Sequence, residues 1–136
     1  MSTSTQPTSV PPLGYALLCK RCLGQPSLVR QVLDRFADSL ASELDLLEKC
    51  YVEKDLAQLA ASAHRLKGAC LNVAARPLAE HLARLELEAA GGNGSELDSL
   101  MEQIRREGAR LTAYVDRLRY GSDSRTGQSA SDAPIS

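Results

Sequence analysis

From Leu13 to Tyr120 the apolar residues recur every three or four positions, which is the spacing of one face of an α-helix. The clearest stripe is Val29, Leu33, Phe36, Leu40, Leu44 and Leu47. It predicts a long helix from about Ser27 to Cys50, with Ser27 as N-cap after Pro26. A short helix precedes it, from Leu13 to about Cys22, closed by Gly24 and Pro26. A third helix is predicted from Asp55, its candidate cap, to Ala74. Pro77 suits the first turn of a fourth, where its missing N–H does no harm, and Leu78, Leu82, Leu85 and Ala89 line that helix. The run Gly-Gly-Asn-Gly at 91–94 ends it. Ser95 and Asp98 resemble a capping box opening a fifth helix, lined by Leu97, Met101, Ile104, Leu111, Val115 and Leu118.

No segment alternates as a strand does, and no hairpin signal occurs. Four long amphipathic helices with short connections predict an all-α, antiparallel four-helix bundle, with the short N-terminal helix packed across one end. The bundle is placed at residues 13–120. Residues 1–12 and 121–136, rich in Ser, Thr, Pro and Gly, are expected to be disordered tails.

Composition narrows the function. The chain has 136 residues, one Phe and no Trp, so its core must be mainly Leu, Val and Ala. The formal net charge is -1, whereas nucleic acid selects strongly basic faces. No stretch reaches the roughly 18 apolar residues of a membrane span, and the N-terminus lacks the basic and apolar regions of a secretory signal. A cytoplasmic protein is expected. Cys19 and Cys22 form a CxxC, but Cys50 and Cys70 stand alone, so a zinc site lacks its second pair. Ordinary, mostly buried thiols are the expectation, with no metal.

The third helix carries the oddity. Around its axis Leu59, Leu66, Cys70 and Val73 lie roughly 120–180° from His64, with Ala63 at their edge. Those residues make the core stripe. Ala57, Ala60, Ala61, Lys67, Gly68 and Leu71 lie within roughly 60° of His64. An ordinary solvent face would carry Glu, Lys and Gln, while Gln58, Arg65 and Asn72 form a separate strip. This one is a smooth patch with an imidazole and an ammonium projecting from it, which suggests a protein docking site. Neutral imidazole is a nucleophile. Lys67, one turn on, can reach a phosphoryl group on His64 and neutralise its charge. Glycine inside a helix costs about 1 kcal/mol relative to alanine. Gly68 offsets that cost by clearing space for a partner beside the ring.

The segment His-Arg-Leu-Lys-Gly-Ala at 64–69, with Leu78, Leu82, Leu85 and Glu86 after it, resembles the signature of histidine-containing phosphotransfer (HPt) domains. The likeness covers most of residues 13–120. It implies a phosphoryl carrier in two-component signalling, with no ATP site and no bound cofactor. His64 would accept a phosphoryl group from a receiver-domain aspartate and pass it to another receiver. Lys67 and Gly68 match the family's phosphate-supporting lysine and clearance glycine. Ala57, Ala60, Ala61 and Leu71 would surround the docked partner. The partners implied are receiver domains of response regulators and of a hybrid sensor histidine kinase, and the Mg²⁺ for transfer would sit on the receiver. A free-standing monomer is expected. The chain departs from the family at Ala74, where a glycine is common. Glu86 falls where the family often has a carboxylate or amide, and it receives no role.

Three other readings compete. A bundle adaptor could dock receivers without carrying phosphate. An enzyme could use His64 as a general base, but that needs a pocket and an orienting partner. A metal site joining His64, His81 and a cysteine lacks a helix-compatible spacing. His81, at the border of the Leu78–Leu82–Leu85 stripe, reads as structural, with Glu80 and Arg84 as surface charge.

Overall fold

The computed structural model describes residues 10–92 and 94–121. Five α-helices run in order: α1 Tyr15–Arg21, α2 Pro26–Val52, α3 Leu56–Asn72, α4 Arg76–Ala90 and α5 Leu97–Asp116. A π-helical turn, Arg117–Gly121, extends α5. Among the described residues there is no strand. Helices α2 to α5 close a ring in which each packs on its two neighbours, and their short connections make the bundle antiparallel. The expected tails at 1–9 and 122–136 lie outside the described residues. Residues 10–12, assigned to a tail on composition, are part of the packed unit: Pro12 is buried and Arg110 donates to the Val10 carbonyl.

The bundle axis holds the side chains that the periodicity selected. Leu33, Leu40 and Leu47 of α2, Leu59 and Leu66 of α3, Leu78, Leu82 and Leu85 of α4, and Met101, Ile104 and Leu111 of α5 are all buried. Leu44 is only half-buried. It leans towards Gly108 of α5, where a Cβ would meet its Cδ1 at 3.2 Å. Cys22, Cys50 and Cys70 are buried free thiols and Cys19 is half-buried. Burial pushes the Cys70 thiol up to about 12, which keeps it neutral.

The helix starts divide between two devices. Asp55 caps α3 by accepting from the Gln58 amide at 3.2 Å, as predicted. Ser27 does not cap α2. The helix begins one residue earlier, with Pro26 in its first turn and Gln25 at the cap, because proline already holds the helical φ and needs no intrahelical bond there. The capping box at Ser95 is not the start of α5 either. The cap position is Glu96, and the Asp98 carboxylate accepts instead from the Tyr51 hydroxyl of α2.

The helix ends are more uniform. Leu23, Lys54 and Ala74 have φ of 58°, 58° and 62°, and each closes the preceding helix with a pair of back-turned amide bonds. At the end of α3, Ala75 N–H donates to the Cys70 carbonyl at 2.8 Å and Ala74 N–H to Leu71 at 3.2 Å. This is the Schellman arrangement, normally built on glycine. The Ala74 departure from the family pattern thus falls on a left-handed residue, where a Cβ costs about 1 kcal/mol. Beneath that turn, the Gly14 N–H donates to the Ala74 carbonyl at 2.9 Å. The Arg21 guanidinium donates to the Leu71 and Asn72 carbonyls at 2.8 and 3.1 Å. Helix α1 therefore sits at the end where α3 passes into α4, its arginine satisfying carbonyls that a helix C-terminus leaves open.

Candidate functional site

Helix α3 divides as its spacing predicts. Leu59, Ala63, Leu66 and Cys70 are fully buried, with Val73 just beyond the helix nearly so. Ala57, Ala61, His64, Gly68 and Leu71 are exposed. Ala60 is the exception on the expected docking face: it is half-buried and packs against the core, because it leans about 40° towards the buried stripe.

The His64 side chain is 66% exposed, and its Nδ1 lies 3.0 Å from Oε2 of Glu86 on α4. The other carboxylate oxygen, Oε1, accepts from the Lys67 ammonium at 2.9 Å. One carboxylate thus joins His64 and Lys67 of α3. The Lys67 hydrogen bond is the main reason the Glu86 carboxyl is held below the usual carboxylate range, with His64 adding to the effect and desolvation opposing it. The ionised carboxylate is an acceptor only, so Nδ1 is the protonated nitrogen of the neutral ring. Nε2 then carries the lone pair. A hydrogen bond at one imidazole nitrogen fixes the chemistry available at the other.

Lys67 differs in posture from expectation. Its side chain is only 26% exposed, lying along the α3–α4 seam rather than standing free beside the ring. Gly68 meets nothing: a Cβ built there has no neighbour within 4 Å. Arg65, on the adjacent strip, turns away towards Glu43 of α2 at 3.5 Å and to the buried Ser62 hydroxyl at 3.2 Å. Leu87 of α4 follows Glu86 in the chain and is 74% exposed.

Glu86 and Leu87 are the residues sequence reasoning passed over. A signal for Glu86 was present. His64 and Glu86 each lie eleven residues from Ala75 in the turn, so an antiparallel helix pair sets them at the same height. Glu86 also follows Leu85 at the edge of the α4 stripe, where a side chain reaches across the seam.

The other candidates lie elsewhere. His81 is about 140° around α4 from Glu86. It is half-buried, with Nδ1 enclosed and unpaired near Glu107 of α5, whose carboxyl burial pushes up. His64, His81 and the cysteines are not gathered: among the described residues no His, Cys, Asp and Glu group has a metal-binding arrangement. A groove of about 530 Å³ runs between α2 and α5, lined by Leu44, Met101, Ile104 and Gly108 among others, away from His64. The imidazole is therefore largely exposed, with a tethered Nδ1 and a cation within one helical turn. That arrangement suits attack on an electrophile presented by another protein. Among the described residues no helix is long and apolar enough to cross a membrane.

Residues 31–121 match the family model described as the Hpt domain. The match opens inside α2 and leaves α1 outside it. No curated protein matches the chain. Among solved structures, the chain is similar to histidine-containing phosphotransfer protein B from Pseudomonas aeruginosa PAO1, with 26% identity and a TM-score of 0.74, covering 81% of this chain and 96% of that one. With the family motif placed on the open face of a bundle helix, the chain belongs to the Hpt domain family and is a histidine phosphotransfer protein of a phosphorelay.

Proposed function

We propose that His64 is the residue that carries the phosphoryl group, receiving it at Nε2 from a receiver-domain aspartyl phosphate and passing it to the aspartate of another receiver. The observation that carries this reading is the exposed ring with Nδ1 held by Glu86. A carboxylate on Nδ1 fixes the tautomer whose nucleophilic nitrogen points at the partner. Lys67 is within reach of the phosphoryl oxygens from the next turn and neutralises part of their charge. Gly68 leaves the approach open. Ala57, Ala61, Leu71 and Leu87 form the apolar rim on which a receiver rests, with Ala60 beneath it.

The Mg²⁺ that assists transfer belongs to the receiver. The donor is the receiver of a hybrid sensor histidine kinase and the acceptor that of a response regulator, and the chain works as a monomer. Incubating the chain with a phosphorylated receiver tests the reading. Wild-type protein takes up the label and His64→Gln takes up none while keeping its circular dichroism spectrum. Persistent labelling of a folded His64→Gln protein would sink the assignment. Binding of receivers without label on the wild-type chain would favour the adaptor reading instead.

A further inference from the structure

We propose that Glu86 keeps the proton on Nδ1 of His64 while Nε2 carries the phosphoryl group, so that the phosphorylated side chain persists as a phosphoimidazolium poised for onward transfer. The inference rests on His64 being the phosphoacceptor and says what the carboxylate does after the first transfer. Electron counting leads to it. The Nε2 lone pair attacks phosphorus, the Nε2–P bond forms, and the P–O bond breaks with its electron pair returning to the donor aspartate. No proton has moved, so a ring bearing hydrogen on Nδ1 and phosphorus on Nε2 carries a positive charge. Left to water, that cation would release the Nδ1 proton. The next transfer would then expel an imidazole anion, a poor leaving group, or wait for a proton to return.

In this chain the cation faces Glu86 Oε2 at 3.0 Å. An opposite charge at that range favours the charged form of a titrating group. On the outward transfer the acceptor oxygen attacks phosphorus, and the P–N bond breaks with its pair returning to Nε2. The ring is left neutral with hydrogen still on Nδ1, the starting tautomer. One relay cycle then needs no proton to be gained or lost at the ring.

Lys67 makes the arrangement responsive. Before transfer its ammonium donates to Glu86 Oε1 at 2.9 Å and offsets the carboxylate charge. An arriving phosphoryl group, one turn away, draws the ammonium across, and the carboxylate then faces the new imidazolium with its full charge. Glu86 from α4 pairs with the ring and Lys67 from α3 pairs with Glu86, while Arg65 is committed to Glu43 of α2. An amide in place of Glu86 could still accept from Nδ1, but it could not supply the charge.

The test uses the full chain, phosphorylated by a receiver, with ¹⁵N and ³¹P spectra recorded against pH for wild type and Glu86→Gln. Phosphate that does not map to Nε2 of His64 overturns the underlying assignment. With the phosphate there, the Nδ1 titration midpoint falls by about one pH unit in the variant. The ratio of wild-type to variant onward-transfer rates grows about tenfold between a pH below both midpoints and a pH above both. Coincident midpoints, or a rate loss in the variant that is uniform with pH, overturn the proposal while leaving His64 as the phosphoacceptor.

Discussion

Gly68 and Gly108 both sit inside helices, and their surroundings separate them. A Cβ on Gly108 would press on Leu44 at 3.2 Å, while one on Gly68 would meet only solvent. No neighbour within 4 Å calls for glycine at 68, which supports the clearance role proposed for it. Gly68→Ala should therefore stabilise the free protein by about 1 kcal/mol, read as a rise in the urea midpoint. Gly68→Gln should also fold but slow transfer to every receiver tested, and unchanged kinetics would remove the clearance argument. Ala74 is the converse case, a Cβ on a left-handed residue. Ala74→Gly should gain up to about 1 kcal/mol, less the backbone freedom that glycine adds to the unfolded chain. A lower urea midpoint for this variant would show that the turn is not strained.

Helix α3 packs the core with one face and, in the proposed function, docks the receiver with the other, and the two should separate under mutation. Leu66 is fully buried, so Leu66→Ala should cost about 2–5 kcal/mol and lower phosphotransfer only through loss of folded protein. Leu87 on α4 contributes surface and no core. Leu87→Glu should leave the melting temperature within a degree or two and weaken receiver binding severalfold by calorimetry. Equal affinity would confine the docking surface to α3. The helix pair matters more than either helix. The imidazole and the ammonium come from α3, but the carboxylate that pairs with both comes from α4.

Across the whole molecule, two carboxylates respond to pH in opposite senses. Glu86 titrates below its ordinary value in the folded state, chiefly because Lys67 donates to it. Its contribution to stability is present above the ordinary carboxylate range and is lost as pH falls through the lowered folded value. Glu107 titrates above its ordinary value, chiefly through burial between α4 and α5. Its contribution is present at acid pH and is lost as pH rises through the raised folded value. Denaturation of Glu86→Gln and Glu107→Gln across pH 3 to 8 should show this. Relative to wild type, the Glu107 variant gains towards neutral pH, and the Glu86 variant loses there and converges in acid. Parallel curves for wild type and both variants would contradict the assignment.

Spacing alone made much of the protein legible. Leu33, Leu40, Leu59, Leu66, Leu82 and Ile104 had to be core, because an amphipathic helix has one apolar face to bury. His64, far around α3 from that face, had to be exposed. The rest was decided by what the second helix of each pair brings. Ser27 and Ser95 carry good local capping chemistry, yet proline geometry and the Tyr51–Asp98 contact set the starts of α2 and α5. The linear spacing sets Glu86 level with His64, but it does not say that the Glu86 carboxylate will lie 3.0 Å from the ring. That juxtaposition exists only when the turn at residues 73–75 folds α4 back along α3. Helical spacing placed the imidazole on the exposed face of α3. Tertiary packing decided which nitrogen of the ring is paired, because only the folded turn brings Glu86 to Nδ1.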